Sequence, residues 1–212
     1  MKVYLLPGIG CDRRLYQRID LAGLDTVFLD WPDFPLGCSL GSIARELSAR
    51  VDVDEPHILV GVSMGGMVAQ ELAALTNPVK VVLISSWIGP HEWPLHARLG
   101  STFKLHHLIT HFTAWASWPV KRVLGRRDRA TDRLLWEMAR KETARKIRTG
   151  TGAILRWQGS PWKGRVVRIH GDADRVVPLR FPVDHVVSGG AHIMVLTRAE
   201  EVTRALRLSV SA

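Results

Sequence analysis

Residues Ile58 to Leu72 constrain this chain more than any other stretch. An apolar run, Ile58-Leu59-Val60, meets Gly61. Val62, Ser63, Met64, Gly65 and Gly66 follow, and then Met67, Val68, Ala69 and Leu72 keep helical spacing. The pattern predicts a buried strand that turns sharply into a helix, with Ser63 at the bend of a complete G-x-S-x-G motif. A serine on such a turn projects its hydroxyl past the end of a sheet. Gly61 and Gly65 suit the bend because a Cβ at either place would collide with the adjoining strand or helix. The helix N-terminus brings free N–H groups and the positive end of a dipole beside the hydroxyl. In a chain with 18 glycines the pentapeptide alone says little, so its meaning rests on what accompanies it.

Other apolar runs alternate with helical patterns in the same way. Lys2–Leu6 reads as a strand closed by Pro7-Gly8-Ile9-Gly10, and Thr26–Leu29 as the next, closed by two prolines, Pro32 and Pro35. Ser39 can cap a helix over Leu40–Val51, with Ile43, Leu47 and Val51 on one face. Strands are expected at His57–Gly61, with His57 on the surface, and at Val79–Ile84 after Asn77-Pro78. Two more are expected at Arg165–Ile169 and Val183–Val187, and Thr197 opens a closing helix with Val202, Ala205 and Leu206 on one face. Near-continuous apolar strands alternating with helices predict an α/β fold with a mostly parallel sheet of about six strands, covered by helices on both faces. Gly8 and Gly10 could begin a dinucleotide-binding fingerprint, but Arg13 stands where its third glycine belongs.

From Ser85-Ser86-Trp87 to about Trp162 the strand pattern stops. Phe103, Leu105, Leu108, Ile109, Phe112 and Trp115/Ala116 are spaced as on a helix, a second helix is expected over Asp132–Ile147, and a short third around Gly152–Trp157. Seven of the eight tryptophans lie here, enough large rings to pack on a sheet and line a pocket. Residues 98–168 carry 17 Lys+Arg and four acids, while the rest of the chain carries 12 and 16. A mildly acidic body thus holds a basic insert, read first as a solvated helical face and second as an anion-recognising surface. The expected organisation is one domain over 1–212, with a core of 1–87 and 163–212 and a helical cap inserted at 88–162, after the strand ending near Ile84. At 46% hydrophobic and 23% charged the chain is ordinary for a soluble globular protein. No apolar run approaches the ~18 residues of a membrane span. Pro7 interrupts too early for a signal peptide, and two cysteines without metal or disulfide spacing point to a reducing cytoplasm.

A serine hydroxyl is a poor nucleophile until a general base takes its proton, and that base needs an orienting carboxylate. Ser63, Asp174 and His192 follow one of the known chain orders. Each stands in a loop after a strand, and in a parallel sheet those loops share one edge. The glycine loop after the first strand can aim a backbone N–H at a reacting oxygen.

With these segments in place, the chain resembles a small, esterase-like serine hydrolase of the α/β-hydrolase superfamily over roughly residues 1–87 and 163–208. Leu6-Pro7-Gly8-Ile9-Gly10 resembles the oxyanion loop, although the family often has His where Pro7 stands. Gly61–Gly66 resembles the nucleophile elbow, Gly171–Pro178 the acid loop, and Gly189-Gly190-Ala191-His192 the histidine loop. The resemblance implies Ser63 as nucleophile, His192 as base, Asp174 as its orienting acid, and an oxyanion hole from the N–H groups of Ile9 and Met64. Trp87 and Cys11 are candidates for the substrate pocket. It also implies a reduced version of the fold: the chain begins on the family's third strand, and the stretch from Pro178 to Val183 is too short for the usual helix. The activity implied is cleavage of a carboxylic ester or related acyl bond through an acyl-Ser63 intermediate. A thioesterase, a C–C bond hydrolase on the same triad and a non-catalytic ligand-binding protein are the alternatives. The expected partner is a small-molecule acyl substrate, with the basic insert leaving room for an anionic one. No cofactor, metal or nucleic acid is expected, and the oligomeric state is open.

Rival candidates are Asp172 for the acid, Asp184-His185 for the acid–base pair, and Ser85 and Ser86, which lack an elbow. His91-Glu92-Trp93-Pro94-Leu95-His96 nearly imitates H-E-x-x-H, but the spacing is one residue too long and Pro94 breaks the helix that motif needs. His107 and His111 lie one helical turn apart without an evident third ligand. Arg126-Arg127-Asp128-Arg129 and Arg140–Arg148 are the centres of a nucleic-acid reading, which would require exposed aromatic platforms.

Overall fold

The computed structural model describes residues 1–94 and 128–211. The expected helix around Phe103–Ala116, together with His107, His111, Trp115, Trp118 and Arg126-Arg127, lies outside the described residues. Among the described residues six strands form a single sheet: β1 (Lys2–Leu6), β2 (Asp25–Phe28), β3 (His57–Val62), β4 (Lys80–Ile84), β5 (Val166–Gly171) and β6 (His185–Val187). Their order is β2-β1-β3-β4-β5-β6, and every pair is parallel. The chain goes outward from β1 to β2, then crosses back to lay β3 on the other side of β1. The loops after β1 and β3 therefore part at a topological switch point, where a crevice opens at the carboxyl ends of the strands.

The period-2 alternation of the strands divides the core into two layers. On one face Tyr4, Leu6, Leu59, Val81 and Leu83 pack with α1 (Leu40–Ser48) and α2 (Met64–Thr76). On the other, Val3, Leu5, Ile58, Val60, Val82, Val167 and Ile169 pack with α5 (Met194–Thr197) and α6 (Ala199–Ser211). β3 and β4 are buried along their whole length. Even Lys80 is only 3% exposed. Its ammonium donates to the Ser209 carbonyl at 3.0 Å in the last turn of α6, where a cation meets the negative end of the helix dipole. Ser39 caps α1, exchanging hydrogen bonds with Ser42 as expected of a capping box.

The structure corrects several sequence expectations. His57 is 2% exposed rather than on the surface. Its Nε2 faces Thr76 Oγ1 at 3.1 Å, and its ring meets Tyr4 edge-on, which makes a strand-end histidine part of the core. The helix expected over Asp132–Ile147 is two helices, α3 (Arg129–Ala139) and α4 (Ala144–Leu155). Asp128 caps the first, and Thr143 caps the second by accepting the Lys146 N–H, so the chain restarts where continuous helical spacing suggested none. Thr197 ends α5 instead of capping the closing helix, and its hydroxyl donates back to the Ile193 carbonyl at 3.3 Å.

α3 and α4 attach to different layers. Leu134, Leu135 and Met138 of α3 join the α6 face, and Arg18 donates to Thr131 Oγ1 at its first turn. Ala153 of α4 and the following Trp157 join the α2 face, where the Trp157 indole donates to Glu71 at 2.7 Å. The segment leaving β4 is held by a buried ion pair. Glu92 receives both terminal nitrogens of Arg168, at 2.7 and 3.0 Å, and the two side chains are 3% and 9% exposed. Glu92 also accepts the Ile88 N–H, so residues 88–92 are bound to β5 across the sheet.

Removing one partner of such a pair leaves a bare charge in the core. Glu92→Ala is expected to lower stability by about 3–5 kcal/mol, while Glu92→Leu combined with Arg168→Met recovers most of that loss. Denaturant unfolding followed by tryptophan fluorescence checks both. A double variant no more stable than Glu92→Ala would show that the loss is not one of uncompensated charge.

Candidate active site

Ser63 sits between β3 and α2 with φ 55° and ψ −121°, a conformation costing about 1–3 kcal/mol for a residue with a Cβ. Its surroundings enforce it. A Cβ on Gly61 would lie 2.3 Å from the Gly65 carbonyl carbon, and one on Gly65 would lie 2.4 Å from the Pro7 oxygen and 2.5 Å from the Leu6 oxygen. The first turn of α2 thus rests directly on the ends of β1 and β3. The Ser63 N–H donates to the Ile84 carbonyl at 3.0 Å, and the Ser86 hydroxyl donates to the Ser63 carbonyl at 2.7 Å.

His192 and Asp174 meet this serine. His192 Nε2 lies 3.1 Å from Ser63 Oγ, and Nδ1 lies 2.9 Å from Asp174 Oδ2. Asp174 is 4% exposed, and its other oxygen accepts the N–H groups of Val176 and Val177, each at 2.8 Å. Burial alone would raise the pKa of this carboxyl. The charge and hydrogen bond of His192 and the N–H groups of Val177 and Val176 outweigh it, holding Asp174 below the ordinary 3.8. An ionised Asp174 can only accept, so Nδ1 of His192 carries the proton and Nε2 is free to receive that of Ser63.

The acid and histidine loops are pinned to one another through backbone. A Cβ on Gly171 would lie 2.0 Å from the Gly190 oxygen, and one on Gly190 would lie 2.9 Å from the Gly171 Cα. The Ala173 N–H donates to the Gly190 carbonyl at 3.0 Å, and the Gly189 N–H to Asp172 Oδ1 at 2.7 Å. Asp172, the rival acid, is therefore a clasp between the loops. Asp184 accepts the Arg168 N–H at 2.7 Å and His185 opens β6, so the second rival pair serves the sheet edge. Ser85 is fully buried in a left-handed turn, and Ser86 is engaged with the elbow backbone.

The loop after β1 lies against the same serine, since a Cβ on Gly8 would be 3.7 Å from that of Ser63. The Met64 N–H opens α2 and so has no carbonyl one turn earlier to receive it. The Ile9 N–H donates to no backbone acceptor among the described residues. Cys11 is half-buried and lines a cavity of about 320 Å³ with Asp12, Arg13, Arg14, Asp30, Trp31 and Glu142. Trp87 is buried beside Trp93, with ring centroids 6.2 Å apart, and its carbonyl accepts the Gln70 amide. Glu92 of the near H-E-x-x-H segment is committed to Arg168.

Two contributors escaped the sequence reading. His170 is 1% exposed, and its Nε2 donates to the Val177 carbonyl at 2.7 Å, bracing the acid loop from below. Its place at the end of a buried strand, just before Gly171, was the available signal. Trp31, which follows β2, donates through Nε1 to the Gly8 carbonyl at 3.0 Å.

The alpha/beta hydrolase family model matches residues 3–205, and the chain belongs to that family. Solved structures agree on the fold. An esterase from Thermogutta terrifontis, described with malate bound, superposes with a TM-score of 0.78 at 16% identity, over 100% of this chain and 89% of that one. An enol-lactonase from Burkholderia xenovorans LB400 gives 0.72 at 15%, covering 100% and 91%. A bromoperoxidase from Bacillus anthracis gives 0.70 at 18%, covering 100% and 92%. No match to the chain was found among curated protein sequences. Among the described residues no helix is long and apolar enough to cross a membrane.

Burial makes the acid loop sensitive to pH. Desolvation lowers the pKa of His170 below its ordinary 6.5, although Val177 and Asp174 oppose the shift. Between that lowered value and 6.5 the unfolded chain binds a proton that the folded one does not, so stability falls as pH drops below 6.5. Asp174, with its depressed pKa, adds a second loss below 3.8. His170→Gln is expected to flatten the first decline and leave the second, as read from unfolding free energies between pH 7 and pH 3. Parallel wild-type and variant curves above pH 4 would remove His170 from this account.

Proposed function

We propose that this protein is a serine hydrolase that cleaves a carboxylic ester through an acyl-Ser63 intermediate. The observation that carries the reading is the continuous hydrogen-bonded line from Ser63 Oγ through His192 to the ionised, buried Asp174. His192 Nε2 takes the hydroxyl proton as Oγ attacks the substrate carbonyl. The resulting oxyanion is received by the N–H groups of Ile9 and Met64, the second reinforced by the dipole of α2. His192 then gives its proton to the departing alkoxide. A water, deprotonated by the same nitrogen, attacks the acyl-enzyme, and collapse of the second tetrahedral intermediate returns the free acid and Ser63. These are proton transfers and acyl transfers only, and they require neither cofactor nor metal.

Residues 88–162 are read as the cap that chooses the substrate. In support, a Cβ on Gly150 of α4 would lie 2.8 Å from Ile9 Cδ1 and 3.0 Å from Phe34, so α4 seats directly on the oxyanion loop. The same helix carries Arg145, Lys146 and Arg148, and this charge suits an acyl substrate with an anionic group elsewhere. An esterase and an enol-lactonase stand among the structural neighbours, and their names agree with an ester as the bond cleaved. Cys11 and Cys38, two cysteines without disulfide or metal spacing, agree with a reducing cytoplasm.

The test is turnover of p-nitrophenyl esters of graded acyl length beside one thioester and one amide, with fluorophosphonate labelling in parallel. The wild type is expected to prefer esters and to be labelled. Ser63→Ala is expected to lose both, and Asp174→Asn to reduce kcat by about 10⁴-fold. A wild type that neither labels nor turns over would make the fold a binding protein instead.

A further inference from the structure

We infer that Trp31 is a positioning residue of the oxyanion hole: its indole N–H clamps the Gly8 carbonyl and thereby aims the Ile9 N–H at the carbonyl oxygen of the substrate. The inference rests on the reading of Ser63 as nucleophile and Ile9 as oxyanion donor.

The Gly8 carbonyl and the Ile9 N–H belong to one planar trans unit, so they point in opposite directions and turn together. Whatever holds the oxygen sets the direction of the N–H. Two donors hold it, Trp31 Nε1 at 3.0 Å and the Cys11 N–H at 3.2 Å. The second closes a four-residue turn, Gly8 to Cys11, whose third residue, Gly10, has φ 71°. That bond is long, and it ties the loop only to itself. Gly8, on one side of this peptide, has no Cβ to restrict its ψ, and a self-contained turn does not fix the peptide's direction relative to Ser63. Trp31 supplies the outside reference.

Trp31 is suited to that task. It follows the end of β2, on the far side of β1 from Ser63, and Pro32 after it restricts its backbone to extended conformations. Its ring is half-buried and meets Phe34 nearly edge-on at 5.8 Å, so the indole has a fixed orientation. Indole can donate but never accept, so the contact with the carbonyl cannot be inverted. On the cap side, Ile147 and Gly150 of α4 approach Gly10 and Ile9. The peptide is therefore held from the sheet by Trp31 and covered from the cap by α4.

A clamp of this kind acts on the transition state, where the oxyanion needs its donor in line, and leaves ground-state binding nearly unchanged. The experiment replaces Trp31 site-specifically by 3-benzothienylalanine, which keeps the ring shape and exchanges N–H for sulfur, with Trp31→Phe as a second variant. Hydrolysis of p-nitrophenyl butyrate and inhibition by an alkyl trifluoromethyl ketone, which forms an oxyanion on the serine, are the readouts. Removing a direct oxyanion donor costs about 10²–10³-fold, so loss of its guide is expected to lower kcat by about tenfold, with KM within twofold. Inhibitor affinity is expected to fall by the same factor as kcat, and thermal unfolding of the benzothienyl variant to match the wild type. Wild-type kcat and inhibitor affinity in that variant would overturn the clamp, as would a rise in KM with kcat unchanged, the mark of a pocket wall. Failure of the underlying reading looks different: wild-type turnover would then be absent or would survive in Ser63→Ala, and the clamp would fall with it.

Discussion

The arrangement depends on one close approach, that of the first turn of α2 to the ends of β1 and β3. Gly61 and Gly65 permit it, and their neighbours leave no room for even a single carbon more. This contact holds Ser63 in its strained backbone conformation. It also brings the N–H of Met64 to the same place as the loop after β1. Because β1 and β3 are neighbours at the switch point of the sheet, a single packing event sets Ser63 and the two N–H groups, of Ile9 and Met64, proposed to receive an oxyanion.

A second contact of the same kind governs the other half of the site. Gly171 and Gly190 join the loops after β5 and β6, so Asp174 and His192 move as one piece. Asp174 has the three charge-stabilising partners that a buried carboxylate requires, from His192, Val176 and Val177. The two halves share the Ser63–His192 hydrogen bond. It is the point at which a displacement of either half would be felt.

Most of the frame could be read from the chain, because it is written in local patterns. The strands are short apolar runs bounded by turn residues, and glycines mark four tight loops at their carboxyl ends. Three of those loops point to Ser63, Asp174 and His192, which hydrogen bonds join in the structure. What escaped were pairings over long sequence distances. Nothing near Glu92 announces Arg168, nothing near Trp31 announces Gly8, and the burial of His57 depends on Tyr4 and Thr76 lying around it. The break between α3 and α4 was missed for another reason. The apolar spacing continues past Arg140, and only the cap made by Thr143 shows that a new helix has begun.

The closest approaches in the site, at Gly61, Gly65, Gly171 and Gly190, are made against main chain. The side chains that brace them, Trp31, Ser86, His170 and Asp172, stand on the core of the fold rather than on the insert. A lineage carrying this framework can therefore exchange the exposed residues of α4, Gly150 apart, while Ser63, His192 and Asp174 keep their spacing. Selection for a new substrate and maintenance of the reaction then act on different parts of the sequence. The glycines carry the inheritance of the chemistry, and the insert is left free to diversify.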